Sequence, residues 1–137
     1  MSLVFDSSAM IALLKNEPGA GKVQLLIDEA DVSKYAHAVN LVEVFYEFRT
    51  QSTAIAENAI ADLKSLSIEE RNDLDGAFWR DVANLIANAR RNSGKLALGD
   101  AFGIALARRL DADFVTADRH EIEALHNAGV CRAVFIR

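Results

Sequence analysis

The chain has 137 residues, of which 51% are hydrophobic and 26% charged, and it carries a net charge of −5 at pH 7. This length suits one domain with its own core, here residues 1–137, and the composition is that of a folded rather than a disordered protein. The negative charge argues against nucleic-acid binding by bulk electrostatics, so such a role requires a local basic patch or bound cations.

Cysteine usage and hydropathy indicate the cellular setting. A single cysteine, Cys131, excludes an internal disulfide and fits a reducing compartment. No apolar run approaches the length of a membrane span, and the first residues lack the charged and apolar segments of a leader. We therefore expect a cytoplasmic protein that does not contact the membrane.

The first half of the chain predicts two strands and four helices. Leu3-Val4-Phe5 is a short apolar run that ends at the polar Asp6-Ser7-Ser8, which predicts a strand, a turn and then a helix. A long helix is expected from Asn40, and Glu43 lies among its apolar residues. In order, the predicted elements are a strand at 3–5, a helix at 9–15, a helix through Val23 and Ala30, a strand at 31–36, a helix from Asn40 and a helix near 53–66.

The second half is organised around residues 98–120. The run from Leu98 predicts a buried helix that is apolar nearly all round, with Asp100 in its first turn and two arginines, Arg108 and Arg109, at its C-terminal end. Phe114-Val115-Thr116 predicts a buried parallel strand after it. The other predicted elements are a solvated acidic loop at 67–76 with a short strand at its start, a helix through Phe78 and Ala89 that ends at Asn92-Ser93-Gly94, a helix at about 119–128 and a strand at 133–136.

This order of elements predicts the fold class. Strands separated by helices, without hairpin turns, favour a three-layer α/β/α fold whose short, mainly parallel central sheet is covered by helices on both faces. In such folds ligands bind outside the carboxyl ends of the strands. Asp6 and Asp118 each follow a predicted strand, so both are expected at that edge.

Two strand-end acids and two acids on helices, Glu43 and Asp100, are candidates for one functional cluster. Crowded and desolvated carboxylates raise one another's pKa, and divalent cations resolve that conflict. Oxygen ligands suit Mg²⁺ or Mn²⁺, and the sequence has no Cys or His pair at the spacing of a zinc site. We interpret the three histidines as surface or structural residues; they are His37, His120 and His126.

Each acid also has a purely structural interpretation as part of a helix cap. For Asp100 and Asp118, taken singly, the cap is the favoured interpretation. The possible caps are Asp6 or Ser7 for the first helix, an Asn40–Glu43 box, Asp100 after Gly99, and an Asp118–Glu121 box.

The four acids lie in stretches that together resemble a known family. The segment from Val4 to Leu14, followed by Asn16-Glu17-Pro18, resembles the opening of PIN-domain proteins, above all the VapC-type toxins of bacterial toxin–antitoxin pairs. Asn40-Leu41-Val42-Glu43-Val44, Leu98-Gly99-Asp100-Ala101 and Val115-Thr116-Ala117-Asp118 match the later motifs in order and character. Two features depart from the family pattern: Asn40 stands where Ser or Thr is common, and Arg119-His120-Glu121 replaces the usual ending with an aromatic residue.

The resemblance implies a single PIN-like domain that acts as a metal-dependent ribonuclease, the toxin of a toxin–antitoxin pair. Its catalytic and metal-binding residues would be Asp6, Glu43, Asp100 and Asp118, and Mg²⁺ or Mn²⁺ held there would activate water to hydrolyse RNA phosphodiester bonds. The implied partners are an RNA substrate, a cognate antitoxin and a second copy in a homodimer, for which the helices through Phe45, Phe48 and Ile60 offer a face. Candidates to hold the carboxylates or a metal-bound water are Ser7, Ser8, Asn40 and Thr116. Candidates for RNA phosphate contacts are Arg90, Arg91, Lys95 and Arg119.

Three alternatives remain open at this stage. The fold could serve as a non-catalytic PIN-like or receiver-like module that binds a metal or a partner without cleavage. A phosphoryl-transfer enzyme with Asp6 as nucleophile is less favoured, because no second acid stands two residues later and no lysine follows in a suitable context. Arg90, Arg91 and Lys95 also have a simpler interpretation as cations at the C-terminal end of a helix.

Overall fold

The computed structural model describes residues 1–92 and 94–137. The predicted helix end at Asn92-Ser93-Gly94 includes Ser93, which lies outside the described residues. Over the described ranges the chain forms five strands and seven helices. The strands are β1 (Ser2–Phe5), β2 (Ser33–His37), β3 (Ile68–Arg71), β4 (Asp113–Thr116) and β5 (Ala133–Phe135). The helices are α1 (Ser7–Lys15), α2 (Ala20–Asp28), α3 (Ala38–Arg49), α4 (Thr53–Ser65), α5 (Gly76–Arg91), α6 (Leu98–Leu110) and α7 (Arg119–Asn127).

The strands form one all-parallel sheet in the order β3-β2-β1-β4-β5. In the centre of the sheet, Val4 of β1 lies between Tyr35 of β2 and Phe114 of β4. The predicted parallel sheet is therefore confirmed, including the short strand β3 at the start of the acidic loop. Since all strands run in one direction, their carboxyl ends share one edge, where polar side chains from distant parts of the sequence meet.

Helices cover both faces of the sheet, as the sequence predicts. Alternate residues of a strand point to opposite faces. Leu3 and Phe5 join the core beneath α1, α2, α3 and α4, whereas Val4 and Phe114 join the core beneath α5, α6 and α7. Helix α6 is buried along most of its length, which confirms the prediction of an apolar helix inside the domain. Among the residues that the structure describes, no helix is both long and apolar enough to cross a bilayer.

Two residues with a possible interpretation as helix caps lie within their helices instead. His37 precedes α3 and caps it, because its Nδ1 accepts a hydrogen bond from the Val39 N–H at 3.0 Å; its Nε2 donates to the Asp73 carbonyl at 2.8 Å. Asn40 is thus the third residue of α3, and the interpretation as an Asn40–Glu43 capping box is wrong. Helix α6 begins at Leu98 with Asp100 in its first turn, as predicted, so the alternative interpretation of Asp100 as its cap is wrong.

The acidic loop after β3 is not simply solvated, in contrast to the prediction. The Asp73 side chain is only 9% exposed, and it pairs with Arg71 and Arg109 at 2.9 and 3.0 Å. Arg109 also forms two hydrogen bonds with Asp75. These arginines hold the pKa of Asp73 well below its usual range, and Arg109 lowers the pKa of Asp75 to about 2. Arg109 therefore fastens the β3–α5 connection to the end of α6.

Of the three residues that the sequence suggested for a homodimer face, Phe45 and Ile60 line an open apolar groove, whereas Phe48 does not. Phe48 is 7% exposed and belongs to the core beneath α3 and α4, and Phe45 and Ile60 are half-buried against that core. The same groove is lined by Val42 and Tyr46, the most exposed apolar residues of α3, at 65% and 70% exposure. The rotation of α3 about its own axis decides which of its apolar residues face the core, and the sequence alone does not determine that rotation.

Candidate functional site

Asp6 follows β1 directly and lies at the carboxyl edge of the sheet. It is 1% exposed and caps α1, because its Oδ1 accepts a hydrogen bond from the Ala9 N–H at 2.9 Å. Burial raises the pKa of Asp6 to about 6, and hydrogen bonds from Thr116, Ser8 and Ala9 limit the rise. The sequence-based cap is confirmed, and the capping carboxylate is at the same time a desolvated acid.

Two hydroxyl groups join Asp6 to the end of β4. Thr116 Oγ1 donates to Asp6 Oδ2 and accepts from the Asp118 N–H at 3.0 Å. Ser8 Oγ donates to Asp6 Oδ1 at 2.7 Å and accepts from the Ala117 N–H at 2.9 Å. The carboxyl ends of β1 and β4 are thus locked together around one carboxylate. Ser7, the other serine of this turn, makes no side-chain hydrogen bond within the described chain.

Asp100 lies across from Asp6 in the first turn of α6. Burial, and after it the negative charges of nearby acids, raise the pKa of Asp100 to about 8; these acids are Asp6, Asp118, Glu43 and Glu121. No salt bridge reaches any of these five carboxylates within residues 1–92 and 94–137. The cluster is therefore an uncompensated concentration of negative charge at the carboxyl edge of the sheet.

Asp100, Asp118 and Glu121 form the tightest group, since one carboxylate oxygen from each lies within 4.8 Å of the others. Glu121 is the residue that sequence reasoning missed as a site residue, because Asp-x-x-Glu was interpreted as a capping box. Only half of that box forms: Asp118 accepts from the Glu121 N–H at 3.2 Å, whereas the Asp118 N–H bonds to Thr116. The Glu121 carboxylate is left free of the cap and lies with the other acids.

Glu43 lies on α3 and its residue is exposed, although its sequence neighbours are apolar. Asn40, which is fully buried, donates from Nδ2 to Glu43 Oε1 at 3.1 Å and to the Gly99 carbonyl at 3.0 Å. Gly99 is required for this approach, because a Cβ atom there would lie 2.2 Å from Glu43 Oε1. The amide of Asn40 and the bare backbone of Gly99 thus set the position of Glu43 beside the first turn of α6.

The donors in this cluster are all oxygen atoms of carboxylates, supported by hydroxyl and amide groups. Mg²⁺ and Mn²⁺ prefer such ligands, and a cation would neutralise charges that the described protein leaves unpaired. The residues present therefore fit a divalent metal, and the acidic cluster is compatible with the site of a metal-dependent nuclease.

Comparison with known families identifies this arrangement. The family model described as "PIN domain" matches residues 3–126, which include all five acids. The chain belongs to the PIN domain family. No curated protein matches this PIN domain by sequence.

Solved structures share the fold of this PIN domain at low sequence identity. VapBC2 from Rickettsia felis, bound to a DNA fragment from its promoter, has a TM-score of 0.78 at 13% identity, with 98% of each chain covered. VapBC-1 from nontypeable Haemophilus influenzae has a TM-score of 0.74 at 15% identity, covering 99% of this chain and 98% of that chain. VapC20 from Mycobacterium tuberculosis, described as a toxin that cleaves the sarcin-ricin loop, has a TM-score of 0.69 at 16% identity, covering 89% and 94%. The three-layer α/β/α architecture is therefore shared over nearly the whole chain.

The four basic residues predicted to contact RNA phosphates lie in two places. Arg90, Arg91 and Lys95 are exposed at the end of α5 and in the connection to α6, and they form no salt bridge within the described part of the chain. Because α6 begins shortly after them and carries Asp100 in its first turn, they lie at the edge that holds the acids. Arg119 starts α7 and lies over the ring of Phe135, 4.4 Å from the ring centroid.

Proposed function

We propose that this PIN domain is a divalent-metal-dependent endoribonuclease that acts as the toxin of a toxin–antitoxin pair. The observation that carries the proposal is the uncompensated cluster of Asp6, Glu43, Asp100, Asp118 and Glu121 at the carboxyl edge of a parallel sheet. A protein with a net charge of −5 accepts an RNA phosphate at such a place only when cations neutralise the acids.

The roles of the acids follow from their surroundings. Asp100, Asp118 and Glu121 would hold Mg²⁺ or Mn²⁺, because their oxygens already lie within reach of one another. When bound, the metal supplies an activated water and offsets the charge that develops on the phosphate. Asp6 and Glu43 would add negative charge beside the metal. Ser8 and Thr116 hold the Asp6 carboxylate by hydrogen bonds, and Asn40 holds that of Glu43.

Two observations weigh against Asp6 as a covalent nucleophile. Its side chain is buried, and each of its oxygens already accepts a hydrogen bond. A nucleophile must reach the phosphorus of its substrate in line with the leaving group. We therefore propose hydrolysis by water, without a phosphorylated protein intermediate.

Partners are proposed from the relatives and from the exposed surface. Several of the similar structures are VapBC proteins, and one of them is described as a member of the VapBC family of toxin–antitoxin systems, which supports an antitoxin as the partner of this chain. Val42 and Tyr46 lie one turn apart on α3 and offer an exposed apolar face for a homodimer. Arg90, Arg91 and Lys95 remain the proposed RNA phosphate contacts. Arg119 instead forms a cation–π contact with the ring of Phe135 and a salt bridge with Glu123. A cytoplasmic location is part of the same proposal, because an RNA substrate would be met there.

The test is cleavage of a mixed RNA pool with Mg²⁺ or Mn²⁺ and with EDTA. We expect metal-dependent cutting that Asp6→Asn and Asp100→Asn each reduce by at least about a hundredfold, because several kcal/mol of transition-state stabilisation depend on the bound metal. Asp62→Asn, at an exposed acid of α4, is the matched control and should cleave like the wild type.

The alternatives give different results in the same experiment. Metal binding measured by calorimetry, without cleavage of any RNA in the pool or of total cellular RNA, would support a non-catalytic binding module. Transfer of labelled phosphate to the protein would support phosphoryl transfer. If neither cleavage nor metal binding is found, the proposal is rejected.

A further inference from the structure

A groove runs along the surface between α5 and α7 and ends at the acidic cluster. It encloses about 520 Å³, a volume within the range of ligand clefts. One end is lined by Lys95 and by Glu121 of the acidic group, and the other by Asp81 and Arg108. From Asp81 to Asn92 the wall formed by α5 is about 16 Å long at 1.5 Å per helical residue.

The α5 wall of the groove carries a line of amides. Asn84, Asn88 and Asn92 are spaced four residues apart, so they share one face of the helix. All three are exposed, and the side chains of Asn84 and Asn88 form no hydrogen bond within the described residues. Each amide offers donors and an acceptor, the combination that reads the edge of a nucleotide base.

The floor of the groove is apolar, and its α7 side carries small side chains. Leu85 and Ala89 of α5 and Leu125 of α7 line it, and Ala124 and Ala128 leave the α7 side open. The groove is therefore able to cover the faces of bases while the amides contact their edges. A duplex keeps its base edges paired and its diameter exceeds the width between two adjacent helices, whereas a single strand presents both faces and edges.

The charges around the groove also suit a polyanion. Asp81 is neutralised by Arg108 at 3.3 Å. Lys95 lines the end beside the acids, and Arg91 lies on the same α5 terminus; within the described part of the chain neither forms a salt bridge. These cations therefore lie where the phosphate backbone of a bound strand would pass from the acidic cluster into the groove.

From this placement we infer that the α5–α7 groove binds single-stranded RNA next to the cleaved bond, and that Asn84, Asn88 and Asn92 select its bases. This inference rests on the proposed ribonuclease function and adds to it the path and the strandedness of the substrate. The groove lies away from Val42 and Tyr46, the exposed pair of α3, so a homodimer through that face leaves it open.

The experiment measures binding and cleavage separately. Binding is followed by fluorescence anisotropy with a random-sequence 16-nucleotide RNA in the Asp100→Asn protein, which removes one charge of the cluster and is expected to be inactive. We expect Asn88→Asp and Ala124→Glu, one on each wall, to raise the Kd about tenfold, because each places a negative charge beside the strand. Asn58→Asp on α4, an exposed asparagine outside the groove, is the matched control and should change the Kd less than twofold.

A competition with duplex RNA of the same length completes the binding test, and we expect it to displace the single strand weakly. In the otherwise wild-type protein, sequencing of the cleaved ends should show that Asn88→Ala changes the bases preferred beside the cut. Thermal unfolding of each groove variant should match that of the protein it was made in, wild type or Asp100→Asn, within the range of the Asn58→Asp control.

The outcomes separate the two proposals. If the wild type cleaves RNA but Asn88→Asp and Ala124→Glu bind and cleave like Asn58→Asp, the groove inference is wrong and the ribonuclease stands. If both groove variants bind RNA normally and instead lose binding to a co-expressed partner protein, the groove is a protein-binding surface and the inference is overturned. If the wild type cleaves no RNA while the groove variants still weaken RNA binding, the ribonuclease proposal fails and the groove is an RNA-binding surface.

Discussion

Neutralising Asp100 is expected to stabilise the metal-free protein. In the folded state the pKa of Asp100 is raised from 3.8 to about 8 by burial and by the neighbouring acids. A raised pKa means that the folded state binds a proton more tightly than the unfolded state, so the stability falls as the pH rises from about 4 to about 8. At pH 7 the raised pKa lowers the free energy of unfolding by about 4 kcal/mol, because each of the roughly three pH units above 3.8 contributes about 1.36 kcal/mol.

Two effects reduce the gain that Asp100→Asn can deliver. Solvent reaches part of this half-buried carboxyl and screens it, which lowers the expected gain to about 2 kcal/mol. A negative charge in the first turn of a helix stabilises the folded state by about 0.3–1 kcal/mol through the helix dipole, and Asp100→Asn removes this contribution. We therefore expect a net stabilisation of about 1–2 kcal/mol at pH 7, which corresponds to a Tm increase of about 4–6 °C for a domain of this size.

The assay is thermal and urea unfolding in EDTA between pH 5 and pH 8. The advantage of Asp100→Asn over the wild type should grow with pH, and Mg²⁺ should stabilise the wild type more than the variant. Asp62→Asn serves as the control and should change the unfolding free energy by less than about 0.5 kcal/mol at every pH. An Asp100→Asn protein whose stability follows that control across the whole pH range would refute the argument from desolvated, crowded carboxylates.

Two further predictions concern the residues that hold the acids in place. Gly99→Ala should lower RNA cleavage at least about tenfold without loss of Tm, because the new Cβ displaces only the flexible end of Glu43; Gly21→Ala on α2, which meets no atom within 4 Å, should leave cleavage unchanged. Thr116→Val removes a hydrogen bond that lowers the pKa of Asp6, so that pKa should rise above about 6 and the acid limb of the pH–rate profile should move to higher pH. Thr116→Ser should restore the wild-type profile, and an unshifted limb in Thr116→Val would show that this carboxyl does not control the rate.

The architecture was predictable because the pattern of apolar residues along the chain determines it. Short apolar runs separated by amphipathic stretches determine a parallel sheet covered on both faces, and the polar residues that follow β1 and β4 then fall at one edge. The helix boundaries were less accessible. His37 caps α3 through its ring nitrogen and Ala97 precedes α6 without any side-chain cap, so neither start has the Ser, Thr, Asp or Asn that usually marks one.

Local sequence patterns also concealed two residues whose roles depend on distant contacts. Asp118 and Glu121 have the spacing of a capping box, and nothing in that spacing shows that Thr116 takes the Asp118 N–H and leaves Glu121 with the acids. Arg109 has the position of a cation that offsets a helix dipole, yet its guanidinium reaches Asp75 in a loop 34 residues earlier in the sequence. A long side chain can contact residues that are distant in the sequence, and the sequence alone does not show which of these residues lie close to it in the fold.

Asn40 shows how one departure from the family pattern is built into this fold. A Ser or Thr hydroxyl has a single hydrogen to donate, whereas the Asn40 amide donates to both Glu43 and the Gly99 carbonyl. Its NH₂ group must face these two acceptors, so its Oδ1 has no hydrogen-bond partner among the described residues and turns to Gly103. A Cβ atom at Gly103 would lie 3.1 Å from that oxygen and 2.6 Å from the ring of Phe114, so the position has room for a glycine and not for a larger residue. The two glycines of α6 and the asparagine of α3 therefore form one unit, and a change to any of the three is expected to be felt at Glu43.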